Sequence, residues 1–229
     1  MYTDFGLFTT DPVITNDVVN LFHHLTGYSR DPTFEKLLVA PLNMRQRFLE
    51  LIEREIEHRE AGRPARIIAK MNQLEDEPMC RALSRASQAG VPIDIIIRGF
   101  CCLKPGVPGW TDNIRIRSIV GRFLEHGRVF HFANGQEDPL QGEFFIGSAD
   151  WMNRNLSRRV EAVTPVESLP LRERLWESLQ IELQDCRQAW QMQPDGSYVR
   201  LNPEDATNVV ARAGAHKTLM KRARQRHAR

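Results

Sequence analysis

Arg98 is the first residue whose type and position suggest chemistry. It closes the apolar run VPIDIIIRG (residues 91–99), after which comes a loop rich in glycine and proline, FCCLKPGVPGWTDN. If the run is a strand of an α/β sheet, Arg98 lies near its carboxyl end, where such sheets bind ligands. The planar, permanently charged guanidinium can donate two hydrogen bonds to a phosphate. The alternative is that Arg98 pairs with a neighbouring carboxylate.

His126 is the second candidate, within the stretch FLEHGRVFHF (residues 123–132). An imidazole titrates near neutral pH, so it can transfer a proton to a phosphoryl oxygen or pair with one as a cation. The pattern predicts that His126 ends a helix just before a strand. The alternative role is therefore a histidine favoured there by the helix dipole. His131 falls inside the strand, and it is interpreted as structural.

A dense polar stretch, GSADWMNRNLSRRVE (residues 147–161), is the third candidate. A strand is predicted to rise to Gly147, and the loop after it is predicted to present amide and guanidinium donors to phosphate oxygens. The alternative is a polar turn whose side chains bond their own backbone. The polar residues that this loop carries are Ser148, Asp150, Asn153, Arg154 and Asn155, of which the amides and the guanidinium are the proposed donors.

The elements that must position these residues follow from hydrophobic periodicity and stop signals. Strands alternate with helices from residue 36 to 132, which favours an α/β fold with a mixed sheet, a mostly parallel centre and flanking helices. A short edge strand is the one element suggested after residue 192, at DGSYVRL. The predicted strands are 36–41, 65–72, 91–99, 128–132, 143–150 and 158–166, and the predicted helices are 13–27, 43–62, 77–90, 113–127 and 171–190.

Composition excludes several classes of function. The formal net charge is only +2 over 229 residues, which argues against a general nucleic-acid coat, so no nucleic-acid partner is expected. No run reaches the roughly 18 apolar residues of a membrane span. The four cysteines form no CxxC pair, so reduced thiols in the cytoplasm are expected and no metal site is predicted.

The tail from Ala215, AHKTLMKRARQRHAR, contains basic residues and no acid. One interpretation is an arm for a polyanion, such as a nucleic acid, a phosphate polymer or a membrane surface. The other is a solvated or frayed terminal helix without a specific partner. Peripheral attachment of a cytoplasmic protein to a membrane stays open for the same reason.

A series of long sequence motifs provides a more specific signal, because they occur in the same order as in a known family. They cover nearly all of residues 2–190 and resemble the C-terminal part of bacterial polyphosphate kinase, the histidine-phosphorylating family built on two phospholipase D-like domains. The resemblance implies a phospholipase D-like sheet and reversible transfer of the ATP terminal phosphate to polyphosphate. The shared words are YTDFGLFT (2–9), ITNDV (14–18), LLVAPLNMR (37–45), KMN (70–72), ASQAGVPIDIIIRG (86–99), PGVPG (105–109), SIVGRFLEHGRVF (118–130) and GSADWMNRNLSRRVE (147–161).

The resemblance implies roles for three residues. Tyr2, the tyrosine of the YTDFG word, corresponds to a nucleotide contact, and Arg98 to a contact with nucleotide phosphate. His126, the histidine of the FLEH word, corresponds to a nucleotide contact that also aids proton or phosphoryl transfer. The resemblance also implies ATP or ADP as cosubstrate and Mg²⁺, whose ligands are expected upstream of this chain. Ser84 and Asn153 depart from the family words, which leaves the local loop geometry there less defined.

The resemblance further implies that the phosphorylated histidine, in an HxK word, lies upstream of Met1. The chain is therefore expected to be a fragment or a truncated reading frame, inactive alone. Its partners would be the missing N-terminal domains and, for the full enzyme, further copies in a homo-oligomer. Residues 1–30 would end the preceding phospholipase D-like domain and connect it by a helix, 31–192 would form the C-terminal one, and 193–229 would be a weakly specified basic tail.

Two other functions stay open. The chain could be a stand-alone binding module for nucleotide or polyphosphate, with no catalysis. It could also be a phospholipase D-like phosphodiesterase or nuclease, which needs HxK words. His126 is followed by Gly127 and Arg128, and no HxK word occurs in the 229 residues. The phosphodiesterase is therefore the least favoured of the three.

Overall fold

Apolar runs and alternating stretches form the strands of this protein, as the structure, a computed structural model, shows for residues 1–206 and 208–227. Both β3 and β4, which the apolar runs 65–72 and 91–99 predicted as strands, are buried at every position. The strands are β1 (Tyr2–Thr3), β2 (Leu38–Ala40), β3 (Ile67–Met71), β4 (Ile93–Ile97), β5 (Ile114–Ile119), β6 (Leu124–Glu125), β7 (Arg128–Phe132), β8 (Glu143–Gly147), β9 (Glu161–Pro165), β10 (Ala189–Met192) and β11 (Tyr198–Arg200).

Nine of these strands make one mixed sheet in the order β11–β10–β5–β4–β3–β7–β8–β9–β2. Strands β3, β4 and β5 pair in parallel, and the other neighbours pair antiparallel. The mixed α/β sheet predicted from the sequence is confirmed. The remaining two strands, β1 and β6, form a separate parallel pair that matches Tyr2 with Leu124.

Helices cover both faces of the sheet. On one face α2 and α3 bury an aromatic core in which the rings of Phe48, Phe130 and Trp151 contact one another. On the other face α5 and α7 cover a core that includes Ile68, Val129 and Phe144. The helices are α1 (Pro12–Leu25), α2 (Met44–Glu60), α3 (Glu77–Gln88), α4 (Asn153–Arg158), α5 (Leu169–Gln184), α6 (Val209–Ala213) and α7 (Ala215–His227).

The helix predicted over residues 113–127 is wrong. Strand β5 occupies Ile114–Ile119, and Leu124–Glu125 is the short strand β6. Ile114 and Ile116 are buried while Arg115 between them is exposed, which is the period of two expected for a strand. His126 therefore follows a strand, so no helix dipole explains its position.

Two further boundaries differ from the sequence-based expectations. The closing helix ends at Gln184, because the Asp185 carboxylate accepts the backbone N–H groups of Arg187 and Gln188 at 2.7 and 2.8 Å and turns the chain into β10. The polar stretch 147–161 is not a simple loop, since α4 lies within it. Beyond residue 192 the edge strand predicted at DGSYVRL is present as β11, followed by α6 and α7.

Candidate functional site

A cleft of about 760 Å³ opens at one edge of the sheet. Strands β3, β4 and β8 run in one direction and end there, while β7 and β9 run the opposite way and begin there. Residues just beyond these strand ends therefore meet in one place, as expected for the carboxyl edge of an α/β sheet. The side chains that these ends bring into the cleft are Asn72, Arg98, His126, Arg128, Ser148, Asp150 and Glu161.

Arg98 lies in this cleft, half-buried, at the end of β4. Its Nε donates a hydrogen bond to Oδ1 of Asn72 at 3.1 Å, and its guanidinium carbon lies 6.0 Å from the centroid of the Tyr2 ring. Within residues 1–206 and 208–227, Arg98 forms no ion pair with a carboxylate. Its charge is thus available to an anion in the cleft.

His126 is brought beside Tyr2 by the β1–β6 pair. The backbone N–H of His126 donates to Thr3 O at 3.0 Å, and the Tyr2 and His126 rings meet edge to face with centroids 5.1 Å apart. Nδ1 lies 2.9 Å from Oδ2 of Asp4. Because a carboxylate accepts, Nδ1 carries a proton, and Nε2 of the neutral ring is the nitrogen left to accept one.

Arg128, which the sequence did not suggest, lies against His126. Its Nη1 donates to the His126 carbonyl at 2.8 Å and lies 3.0 and 3.1 Å from the two ring nitrogens. Arg128 is charged yet only 8% exposed, and it begins a strand whose five residues are all buried. A charged residue at the start of such a strand needs a buried partner, and this was the one signal in the sequence.

Asp150 is that partner. Its Oδ1 and Oδ2 accept from Nε and Nη2 of Arg128 at 3.1 and 3.4 Å. The same Oδ1 accepts from the backbone N–H and side-chain amide of Asn72, at 2.8 and 3.2 Å. Asn72 in turn accepts the hydrogen bond from Arg98. The buried carboxylate of Asp150 therefore positions both Asn72, which contacts Arg98, and Arg128, which contacts His126.

The polar stretch 147–161 contributes fewer free donors than the sequence suggested. Ser148 donates to the Glu161 carboxylate, and the amide of Asn155 donates to it at 2.5 Å. Asp150 is occupied as described, and Asn153 does not line the cleft. Arg154, and Arg159 after α4, line the cleft as exposed cations and form no ion pair with the described residues. The cleft therefore offers Arg98, Arg154 and Arg159 to a polyanion.

Charged groups behind His126 are buried together. Lys70 of β3 binds Glu125 of β6 at 2.8 Å and also binds Glu182 of α5. Burial lowers the pKa of Lys70, but the two carboxylates outweigh it and raise the pKa above its usual value. Burial likewise opposes ionisation of Glu125, yet hydrogen bonds from His216 and the charge of Lys70 lower its pKa to about 2. These pairs tie β6, and with it His126, to β3, α5 and α7.

His131 occupies a different environment, on β7 and 1% exposed. Its Nε2 donates to Pro139 O at 3.0 Å, and its ring packs on Phe144 and Trp176. Burial, with the nearby charges of Arg66 and Arg172, lowers the pKa of His131 to about 4 despite the bond to Pro139. It does not line the cleft.

Within residues 1–206 and 208–227, no group of three or more His, Cys, Asp or Glu is placed to hold a metal ion. The carboxylates of the cleft, Asp4, Asp150 and Glu161, are each bound by side chains of this chain. They do not fit a magnesium site. In the same part of the chain, no helix has the length and apolar character needed to cross a membrane.

This chain is similar to known proteins in both sequence and fold. A family model described as polyphosphate kinase C-terminal domain 2 matches residues 37–212. A polyphosphate kinase of Synechocystis sp. is 56% identical over 203 residues, which are 89% of this chain and 27% of that protein. A polyphosphate kinase of Pseudomonas aeruginosa is 47% identical over 208 residues, 91% of this chain and 30% of that protein.

A solved structure is also similar. The crystal structure of polyphosphate kinase from Porphyromonas gingivalis superimposes with a TM-score of 0.85 at 38% identity, covering 95% of this chain and 33% of that one. The chain thus spans less than a third of the length of the two curated relatives named here.

Proposed function

Because the chain belongs to the polyphosphate kinase C-terminal domain family, we propose that its cleft binds the nucleotide and phosphate groups during reversible transfer of the ATP terminal phosphate to polyphosphate. The observation that carries this proposal is the set of three arginines without ion pairs, Arg98, Arg154 and Arg159, beside His126 in one cleft. A polyanion is the ligand that such a set recognises.

Each residue has a role in the proposed site. Tyr2 contacts the nucleotide, since its exposed ring lies beside Arg98 and against His126. Arg98 donates to phosphate oxygens and is oriented by Asn72. Asp4 occupies Nδ1 of His126, so the transferred group meets Nε2, where it replaces the contact with Nη1 of Arg128 at 3.1 Å. Held this way, His126 supplies or accepts a proton, or pairs as a cation with a phosphoryl oxygen.

The phosphoryl-accepting histidine and the magnesium ligands of the proposed reaction belong to other parts of the family enzyme. None of the seven histidines here stands in an HxK word, and the carboxylates of the cleft are already bound. Apolar side chains on α1 and the stretch before it support contact with further polypeptide: Phe8 is 99% exposed and Phe22 60%. The proposed partners are therefore the remaining domains, with a homo-oligomer for the whole enzyme.

A binding module for nucleotide or polyphosphate without catalysis is the second candidate. It is favoured by the same absence of an HxK word from the 229 residues. Two assemblies separate the candidates: the chain alone, and a chimera in which it replaces the matching segment of the Synechocystis polyphosphate kinase. Polyphosphate synthesis by the chimera supports the phosphotransferase, whereas a well-folded chimera that binds ATP without turnover favours the binding module.

ATP binding tests the cleft directly. Calorimetric titration of the 229-residue chain with ATP is expected to show binding that Arg98→Ala weakens by about tenfold or more, as for a charged hydrogen bond to phosphate. Arg47→Ala is the matched control, because Arg47 is an exposed residue of α2 paired only with Glu50. Equal affinity in the Arg98→Ala and Arg47→Ala variants, or no binding by the wild-type chain, contradicts the proposal.

A further inference from the structure

A second concave site, which we call the basic hollow, lies apart from the cleft. It measures about 330 Å³, and the cations in its walls are Arg122, Arg187, Arg200 and Lys217. No aspartate or glutamate lines it. Within residues 1–206 and 208–227 none of these four cations forms an ion pair. Four like charges around one hollow repel one another unless an anion binds between them.

Strand register explains why these residues converge. Strand β10 is antiparallel to both its neighbours, and Ala189 at its start pairs with Ile119 at the end of β5. The next residue, Trp190, pairs with Arg200 at the end of β11. Arg122 follows β5 and Arg187 precedes β10, so three arginines from distant parts of the sequence meet at one end of these strands.

The basic hollow and the cleft lie along the same edge of the sheet. Strand β5 is parallel to β4, so its carboxyl end, beside the hollow, points the same way as the end of β4 that carries Arg98. The segment 122–126 separates the two sites: Arg122 lines the hollow and His126 lines the cleft. A chain of anionic groups leaving the cleft along this edge would meet the hollow.

The basic tail supplies the outer wall of the hollow, and its helix is anchored. His216 is 3% exposed, its Nδ1 lies 3.0 Å from the amide nitrogen of Gln188, and its Nε2 lies 3.2 Å from Glu125. Two arginines on one side of α7, Arg222 and Arg226, bind Glu177 of α5 at 3.0 and 2.8 Å. These contacts oppose the interpretation of the tail as a frayed helix.

The other side of α7 carries free charge. Lys217, Lys221 and Arg224 follow one another at spacings of four and three, which places them on one helical face. Lys217 lines the basic hollow, and all three line an adjoining depression of about 510 Å³. The positive surface therefore continues from the hollow along α7.

The side chains in the walls of the hollow favour one kind of polyanion over another. Sites for single-stranded nucleic acid stack bases on exposed aromatic rings, whereas the described residues that line the hollow include no Phe, Tyr or Trp, and the ring of His216 in its wall is buried. A linear phosphate chain carries charge without bases, and it needs only cations spaced along its path. We propose that the basic hollow and the adjoining face of α7 form a second, non-catalytic binding site for polyphosphate, which holds chain segments outside the cleft. This inference rests on the proposed function of the cleft.

The length of the polyphosphate ligand provides the test. The affinity of the 229-residue chain is measured for labelled polyphosphate of several dozen phosphates and for tripolyphosphate, by fluorescence anisotropy and calorimetry. The wild-type chain is expected to prefer the long polymer. In the variant Arg122→Gln/Lys217→Gln, the long polymer is expected to bind about tenfold more weakly, with a shallower dependence on salt, because two phosphate contacts are lost. Affinity for tripolyphosphate and ATP should stay within about twofold, since those ligands fit the cleft.

The matched control removes two exposed charges elsewhere, as Arg47→Gln/Arg81→Gln on α2 and α3. Equal weakening in the control, or an unchanged affinity of the hollow variant with an unchanged thermal melt, overturns the proposal. Duplex DNA or phosphatidylserine vesicles that bind as tightly as polyphosphate, with the same dependence on Arg122 and Lys217, overturn the choice of ligand.

The variant Arg98→Ala separates the two sites. Loss of ATP binding in this variant is assigned to the cleft, whereas binding of the long polymer should still depend on the hollow. If the wild-type chain binds the polymer through the hollow yet binds no ATP, the proposed function of the cleft is contradicted and the proposal for the hollow is not.

Discussion

The carboxylate of Asp150 and the guanidinium of Arg128 lie side by side, with Nε–Oδ1 and Nη2–Oδ2 distances of 3.1 and 3.4 Å. Both residues are more than nine-tenths buried. Such a pair adds little to stability compared with apolar side chains, but removing one partner leaves a buried charge without compensation. The pair therefore matters as a fixed support for His126 and Asn72, which both contact it.

Asp150→Asn is expected to destabilise the chain by about 3 kcal/mol, because Arg128 then stays buried and charged beside a neutral amide. Urea unfolding of the 229-residue chain measures the change. Glu77→Gln is the control, since it removes the exposed pair with Arg81 and should cost less than about 1 kcal/mol. Similar losses in the two variants would mean that the Asp150 pair is no more important than an exposed one.

Arg98→Ala in the chimera with the Synechocystis enzyme should lower kcat/KM by about tenfold to several hundredfold. Charged hydrogen bonds to phosphate contribute roughly 1.5–3 kcal/mol, and more in a site without water. Arg98→Lys should restore only part of the activity, because a point charge replaces a planar fork. Steady-state kinetics measure both, and normal kinetics in a folded Arg98→Ala chimera would remove Arg98 from the site.

His126→Gln in the same chimera should reduce activity by tenfold or more, since a positioned acid–base group contributes about a hundredfold to ten-thousandfold. Glutamine keeps a donor but cannot titrate. His131→Gln is the comparison, because His131 is buried on β7 outside the cleft and should cost stability before activity. A folded but inactive His131→Gln enzyme beside a near-normal His126→Gln enzyme would reverse the assignment.

His131 should also make stability depend on pH. Its pKa is about 4 in the folded chain against 6.5 for an exposed histidine, so between these values the unfolded chain binds the extra proton. Stability is therefore full above about pH 6.5 and falls as the pH is lowered toward 4. At pH 5 the loss from this group is about 2 kcal/mol. Thermal melts of wild type and His131→Gln at pH 7 and 5 measure it, and an equal fall in both would exclude His131 as the source.

The 229-residue chain alone should not synthesise polyphosphate from ATP, because covalent transfer fails without a nucleophile and none of its histidines stands in an HxK word. Incubation with radiolabelled ATP measures product and labelled protein, and the Synechocystis enzyme serves as the positive control. Polyphosphate formed together with phosphohistidine on this polypeptide would show that the chain contains its own nucleophile.

The elements that the sequence predicted well are those with a strong local pattern. Strand β4 is an uninterrupted apolar run, and α2 repeats its apolar residues with helical spacing, so each pattern allowed one structure. The segment 113–127 was assigned to a helix although its residues IRIR (114–117) alternate between apolar and charged. That alternation was the evidence for β5. The helical interpretation also placed His126 at the end of a helix dipole, and no helix precedes it.

The candidate site was predictable only in part. Arg98 was selected because it ends a predicted strand, His126 because an imidazole stands at a predicted junction of elements, and Tyr2 from the resemblance alone. The supports could not be selected: Asn72 and Asp150 are 78 positions apart in sequence, and no local pattern encodes their contact. Asn43 shows the same limit: it directly precedes α2, yet its side chain accepts from the backbone N–H of Val39 and does not cap the helix.

The β1–β6 pair gives Tyr2 a particular kind of tether. Only two residues on each side are matched, and Tyr2 itself is 65% exposed. Short, exposed backbone pairs open at little cost, whereas Arg98 and Arg128 are attached to a nine-stranded sheet. Amide protons at Leu124 and His126 should therefore exchange with solvent much faster than those of β3 and β4. An ATP molecule bound against both the tyrosine and the arginine would slow that exchange, so the nucleotide would stabilise the part of the site that it contacts.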